Sequence, residues 1–215
     1  MRESPLGAFE TLVPLILASE SPRRRELLSS LGLVFEVVPS NGNEPPAGPS
    51  ETPAAYALRL AEQKAREVAA RFPGRAVLGA DTVVAVQGEL LGKPRDPADA
   101  KRMLALLAGR SHEVVTGCCL ILPDGSAQHL AESTAVTMRP ASQAELLAYA
   151  ATGEPADKAG AYAIQGLGGF LVERIQGSAS NVVGLPLSRV SRLLLERGII
   201  AARRPAAPNA EGDAT

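Results

Sequence analysis

Asp81 is the only charged side chain in the run from Ala76 to Val86, which is otherwise apolar or β-branched. That run reads as a strand buried on both faces. A carboxylate there loses its hydration and needs a cation to offset the loss. Gly79, two residues earlier on the same face, removes a side chain and leaves room for a ligand or for another stretch of backbone. Gln87-Gly88 is a turn dipeptide, so Val83–Val86 and Glu89–Leu91 are expected to pair as a hairpin that returns Lys93, in Gly92-Lys93-Pro94, toward Asp81. Two readings stay open on these residues alone. One is an Asp–Lys ion pair that serves structure, and the other is a metal or phosphate site.

Other residues with chemical potential lie further off. Ser21-Pro22 reads as an N-cap and first helical residue, and Arg23, Arg24 and Arg25 follow at the positive end of that helix, where cations are disfavoured unless an anion binds. Arg24 precedes Leu27 and Leu28 by three and four residues, so it projects from the buried face. Lys64 falls in the middle of an apolar stripe formed by Ala57, Leu60, Ala61, Ala65 and Val68, which calls for a buried anion. Eighteen arginines against four lysines make each lysine informative: Lys64, Lys93 and Lys158 all fall in stretches singled out on other grounds, and Lys101 does not. Glu44 lies in a Pro/Gly/Asn-rich loop over 40–53, and Gln165 in a glycine-rich passage over 153–169 whose backbone can approach a ligand. Together these form an inventory for phosphate and metal chemistry. Two carboxylates suffice for Mg²⁺ shared with substrate phosphates, and basic groups neutralise charge as a P–O–P bond breaks.

The elements that must bring these residues together are legible as periodicities. Strands are expected at 13–18, 34–39, 76–86, 112–122, 127–139 and 170–175. Helices are expected from Pro22 to near Gly32, from Pro53 to about Phe72, from Pro97 to Gly109, from the Ser142/Glu145 capping box to Gly153, and from Pro186 to Arg197. With 215 residues, 46% hydrophobic and 21% charged, the chain can bury a full core, and a single domain over 12–200 is expected, with disordered termini at 1–11 and 201–215. A net charge of −1 gives no global attraction to nucleic acid or an anionic membrane. No signal peptide or membrane span is evident, and Cys118 and Cys119, adjacent in a strand, face opposite ways and fit a reducing cytoplasm. Isolated His112 and His129 argue against zinc.

Six separated motifs add a resemblance. Leu17-Ala-Ser-Glu-Ser-Pro-Arg-Arg24, Gly79-Ala-Asp-Thr-Val-Val84, Gly92-Lys-Pro94, Asp157-Lys-Ala-Gly-Ala-Tyr162, Ile164-Gln-Gly166 and Asn181-Val-Val-Gly-Leu-Pro186 resemble, in order, the signatures of the Maf family of nucleoside triphosphate pyrophosphatases. The resemblance implies a mixed α/β fold with an elongated central sheet flanked by helices and two lobes around a cleft, similar to the inosine triphosphate pyrophosphatases. It implies cleavage of a nucleotide between its α- and β-phosphates with a divalent metal, Mg²⁺ or Mn²⁺, and a homodimer. Carried onto matching positions, it makes Asp81 the proton acceptor and Glu44 a metal-holding or water-positioning acid, so that both are metal ligands. Lys64, Lys93, Ser19 and Arg24 become the phosphate-side groups. Arg23, Thr82 and Gln165 fit the dTTP/UTP branch rather than the branch acting on 7-methyl-GTP. Gln also suits the base chemically, because its amide both accepts from N3–H and donates to a carbonyl of uracil or thymine. The family's link to septum formation implies an alternative, a nucleotide-binding regulator without turnover.

Overall fold

The computed structural model describes residues 7–203. In chain order its elements are β1 (Phe9–Thr11), β2 (Leu15–Ala18), α1 (Pro22–Ser29), β3 (Glu36–Val37), α2 (Pro53–Arg71), β4 (Ala76–Val86), β5 (Glu89–Leu91), α3 (Pro97–Leu107), β6 (Ser111–Ile121), β7 (Ala127–Met138) and α4 (Gln143–Ala150). Short 3-10 turns at Glu154–Asp157, Ala159–Ala161 and Leu167–Leu171 lead to β8 (Val172–Gln176), α5 (Ala179–Val183), α6 (Leu187–Glu196) and β9 (Ile200–Ala202).

Local chemistry sets most of these bounds. Ser21, Thr52, Asp96 and Ser142 cap α1 to α4 with side-chain oxygens that accept a backbone N–H three residues on, and proline opens the first three helices. Gln87 and Gly88 take φ of 51° and 81°, as the tight turn between β4 and β5 requires.

The sheet is mixed and seven-stranded, in the order β3-β2-β4-β6-β7-β8, with β5 also paired to β4. β3, β2 and β4 run parallel and the remaining pairings are antiparallel. The long strands β4 and β6 serve two lobes. On one face, α2 covers Ile16, Val77, Cys119 and Ile121, with Val83 and Val115 further along. The opposite face holds two separate cores. Leu17, Leu28, Leu78, Cys118, Leu120 and Leu194 build the first, and Val84, Met103, Leu104, Val136 and Leu171 the second. The adjacent cysteines thus do face opposite ways. Burial pushes both thiols up to about 12, so they are inert at neutral pH.

A gap in pairing opens between the lobes. β2 pairs with β4 over Ala76–Gly79, and β5 pairs with it only from Val84 to Val86. Between them, one edge of β4 has no strand beside Asp81 and Thr82. The space that Gly79 frees is taken by backbone. A Cβ on Gly79 would overlap the Ala61 carbonyl oxygen and lie 2.9 Å from Ala65 N, and one on Gly117, the partner of Asp81 across the β4–β6 ladder, would lie 2.5 Å from Leu58 N. Helix α2 therefore rests directly on the sheet beside Asp81.

Several expectations are corrected. Residues 9–11 and 201–202 are not disordered: Phe9–Thr11 pairs antiparallel with Ile200–Ala202, and Ile199 and Ile200 are buried against the first core. The rest of the expected disorder, at 1–6 and 204–215, lies outside the described residues. β3 is shorter than expected, and 177–181 includes the start of α5 rather than a simple turn, because Ser178 caps it. Among the described residues no helix is long and apolar enough to cross a membrane.

Gly117→Ala and Gly79→Ala are expected to cost about 2–3 kcal/mol each, since a methyl group there meets helix backbone that cannot rotate aside. Urea unfolding measures this. An unchanged midpoint would show that the helix tolerates a wider spacing.

Candidate active site

Helix α2 delivers Lys64. All five residues of the expected stripe, Ala57, Leu60, Ala61, Ala65 and Val68, are buried, and Lys64 emerges among them where the sheet edge opens. Its Nζ lies 2.6 Å from Asp81 Oδ1 and 2.6 Å from Glu44 Oε1. Asp81 is only 7% exposed, so the ammonium offsets a real loss of hydration. Burial raises the Glu44 pKa, but the hydrogen bond and charge of Lys64, with Lys93 and Arg24 beyond, outweigh it and hold the carboxyl below its ordinary range.

Of the two readings left open for Asp81, the ion pair is present, but its partner is Lys64 rather than the Lys93 that the hairpin was expected to return toward it. Leu91 pairs with Val84, so the same register carried on would set Lys93 opposite Thr82, whose side chain points to the other face of β4. Lys93 is exposed, lines the cleft and forms no ion pair among the described residues.

A second face of α2 fixes the loop that carries Glu44. Arg59, Gln63, Glu67 and Arg71 recur every four residues and so stack along one side of the helix. Arg59 holds Glu51 through two bonds of 2.8 Å and reaches Pro46 O; Gln63 donates to Asn43 O at 2.7 Å; Glu67 accepts from Asn41 N; Arg71 donates to Pro39 O. Glu44 is clamped on both sides. None of this ladder is marked in the sequence beyond its spacing.

Across the floor, Arg24 turns inward as its position on α1 predicts. Nε donates to Gly184 O at 2.8 Å, Nη2 to Thr82 Oγ1 at 3.0 Å and Nη1 to Ser19 Oγ at 3.4 Å. Thr116 Oγ1 spends its proton on Asn181 O at 3.1 Å, so Thr82 is the donor in the 2.9 Å contact between the two threonines. Burial lowers the Arg24 pKa against the charge of Asp81, yet a guanidinium stays cationic. Ser19, 6% exposed, also accepts from Ser21 N.

Arg23 crosses the cleft to Asp157, 3.1 Å away, and Asp157 is also held by Lys158 at 2.6 Å. Gln165 lines the same cleft, exposed, and its amide makes no hydrogen bond among the described residues. The structure thus brings all nine expected site residues, Ser19, Arg23, Arg24, Glu44, Lys64, Asp81, Thr82, Lys93 and Gln165, to one cleft of about 530 Å³. It adds Tyr56, Asp157, Lys158 and Tyr162, which residue types alone did not mark as site residues. For Lys158 the scarcity of lysine was the available signal. Tyr162 is held by His112, whose Nε2 is 2.8 Å from the phenol oxygen with the rings edge to face.

Fold and site together define an α/β protein with a cationic cleft and paired carboxylates on its floor, suited to a phosphorylated ligand. The chain belongs to the Maf family: the family model described as Maf-like protein matches residues 14–197. Relatives named dTTP/UTP pyrophosphatase include one from Nitratidesulfovibrio vulgaris, 50% identical over 93% of this chain and 95% of its own. Another, from Anaeromyxobacter sp. strain Fw109-5, is 54% identical over 86% and 89%. A third, from Deinococcus radiodurans, is 50% identical over 89% and 97%. Among solved structures, a HAM1 protein from Coxiella burnetii aligns with a TM-score of 0.47 at 16% identity, over 86% of this chain and 100% of that one, too slight a likeness to carry an argument.

Burial pushes the His112 pKa from 6.5 down to about 4. Between these values the unfolded chain takes up a proton that the folded chain refuses. The stability that neutral His112 confers is therefore full above about pH 6.5 and is lost as pH falls toward about 4, by roughly 3 kcal/mol. Denaturation of wild type and His112→Gln across this window measures it. The expected result is a flatter curve for the variant, and parallel curves would remove His112 as the cause.

Proposed function

We propose that this protein is a nucleoside triphosphate pyrophosphatase that hydrolyses dTTP and UTP between the α- and β-phosphates, releasing the monophosphate and pyrophosphate. The observation that carries this reading is Lys64 joining Asp81 and Glu44 on the floor of a cleft whose wall is Arg24. The names of the three relatives supply the substrate.

Asp81 has one oxygen committed to Lys64, and its Oδ2 receives no hydrogen bond among the described residues. That oxygen takes the proton of the attacking water. Arg24 has three of its five N–H groups engaged by protein, which leaves two for phosphate oxygens. Lys93 and Ser19 add to this phosphate side. Negative charge that builds on the pyrophosphate leaving group thus meets fixed cations.

The donor set also fits a divalent cation. Two carboxylates already converge on one cationic nitrogen, and among the described residues no third His, Cys, Asp or Glu joins such a group. That is the set Mg²⁺ or Mn²⁺ uses when phosphates and water complete the shell. Glu44 and Asp81 would hold the ion, which when bound supplies charge neutralisation and polarisation of the phosphate.

On the base side, Gln165 and Arg23 are assigned to the pyrimidine, with Thr82 acting through Arg24. Gln165→Glu puts an acceptor where the base needs a donor, and should lower kcat/KM for UTP and dTTP by roughly ten- to a hundredfold. 7-Methyl-GTP, with its cationic base, should be affected less. The same ratio for both substrates would remove Gln165 from base recognition.

The reaction itself is tested with purified protein, Mg²⁺ or Mn²⁺ and UTP or dTTP, by measuring pyrophosphate. Stoichiometric binding without turnover would point to a nucleotide-binding regulator instead. Asp81→Asn should abolish turnover with the fold retained, and activity within about tenfold of wild type would exclude Asp81 as the proton acceptor. Lys64→Ala and Lys93→Ala should each reduce kcat/KM more than Lys101→Ala, since Lys101 lies on α3 away from the cleft. Equal effects would mean that the cleft lysines do not contact phosphate.

A further inference from the structure

The glycine-rich segment around Gln165 suggests, as sequence, a backbone laid against a ligand. In the structure that backbone is wrapped around a carboxylate of the chain itself. Glu154 accepts the N–H of Leu167 at 2.9 Å on Oε1, and on Oε2 the N–H of Gly168 at 2.9 Å and the hydroxyl of Tyr149 at 2.7 Å. The Tyr149 oxygen in turn accepts the N–H of Ala163 at 3.2 Å. Gln165 is therefore tied on both sides to one Tyr–Glu pair. The glycines follow from this wrapping: a Cβ on Gly166 would lie 2.6 Å from Glu154 Cδ, and one on Gly168 would lie 2.7 Å from Tyr149 Cζ.

The pair is itself firmly seated. Tyr149 is 3% exposed in the second core and packs edge to face on Phe170. Burial raises the Glu154 pKa, but the Tyr149 hydroxyl and two backbone N–H groups outweigh it and hold the carboxyl below its ordinary range. It is an acceptor for three donors, with no proton of its own to offer. On the cleft side the loop presents the Gln165 side chain.

The Gln165 amide makes no hydrogen bond among the described residues, so it turns about its last bond and meets either pyrimidine. One orientation accepts from N3–H and donates to a carbonyl, as uracil and thymine require, and the flipped orientation serves the amino group and bare N3 of cytosine equally well. We propose that Glu154 and Tyr149 are positioning residues for base selection: they fix the backbone on both sides of Gln165, so that its amide stands at the edge of a pyrimidine ring and discriminates against the larger purine. This rests on the assignment of Gln165 to the base.

The test compares kcat/KM for UTP and ATP in wild type, Gln165→Ala, Glu154→Gln, Tyr149→Phe and the double variant Gln165→Ala/Glu154→Gln. Glu154→Gln turns an amide nitrogen toward one of three donors, and should lower the UTP-to-ATP ratio about tenfold. Tyr149→Phe keeps the ring and removes only the hydroxyl, so it should lower the ratio by a smaller factor, and it decides the matter if Glu154→Gln does not fold. In the Gln165→Ala background, Glu154→Gln should change the ratio no further. Backbone amide exchange at Leu167 and Gly168, measured without nucleotide, should quicken in Glu154→Gln. A ratio lowered by Gln165→Ala but untouched by both positioning variants overturns this inference and leaves the base assignment standing. A ratio untouched by Gln165→Ala overturns the base assignment and this inference with it. Unchanged exchange at the two amides shows that Glu154 does not hold the loop.

Discussion

The contact of α2 with the sheet at Gly79 and Gly117 is the constraint on which the site depends. Without side chains at those two positions, helix backbone reaches strand backbone, and Lys64 comes within 2.6 Å of Asp81. A wider spacing would leave a carboxylate at 7% exposure without its cation, a loss of about 3–5 kcal/mol for a buried pair. The same helix holds three things at once. Its apolar stripe seats it, Lys64 reaches the site, and the ladder from Arg59 to Arg71 clamps the loop that brings Glu44 to the same nitrogen. Both carboxylates are thus referenced to one rigid element, which is how a pair 37 residues apart in the chain can share a single cation.

Rigidity in α2 would be of little use without an opening. The missing strand neighbour along β4 between Gly79 and Val84 supplies it, and the two lobes follow from the same gap, since each packs its own core on the far face of β4 and β6. Arg24 belongs to the first lobe and is fixed by Thr82 on β4 and by Gly184 just after α5. Asp157 and Lys158 belong to the second, and the Arg23–Asp157 bridge is a direct side-chain link across the cleft. With Asp157 exposed and Arg23 half-buried, that bridge contributes only modestly to stability.

Local patterns made much of this legible in the sequence. A continuous apolar, β-branched run marked β4 to its first and last residue, capping residues and opening prolines marked four helix starts, and the apolar stripe of α2 identified Lys64 as a lysine in need of an anion. What stayed hidden were partnerships between distant segments. Nothing local distinguishes Lys64 from Lys93 as the partner of Asp81; register along a three-residue strand decided it. Pairing of Phe9–Thr11 with Ile200–Ala202 is likewise a contact between the two ends of the described chain, and Ala-rich, polar sequence beyond residue 200 has the composition of a tail. Glycine was ambiguous in both places that mattered. At Gly79 the vacated space receives a helix, and at Gly166 and Gly168 it receives a glutamate and a tyrosine, because an absent side chain signals close approach without saying what approaches.

The charge balance of the cleft bears on what must accompany the substrate. Arg23, Arg24, Lys64, Lys93 and Lys158 line it, against Glu20, Glu44, Asp81 and Asp157, so the excess is a single positive charge in a protein whose net charge is −1. A nucleoside triphosphate brings on the order of four negative charges at neutral pH. The cations are also largely committed, Lys64 to two carboxylates and Lys158 to Asp157. Screening over about 8 Å at physiological ionic strength prevents distant arginines from making up the difference. A triphosphate alone would therefore leave Asp81 and Glu44 facing uncompensated negative charge. On the proposed reading, a divalent cation arriving with the phosphates would bring the sum close to neutrality at the point where the two carboxylates converge.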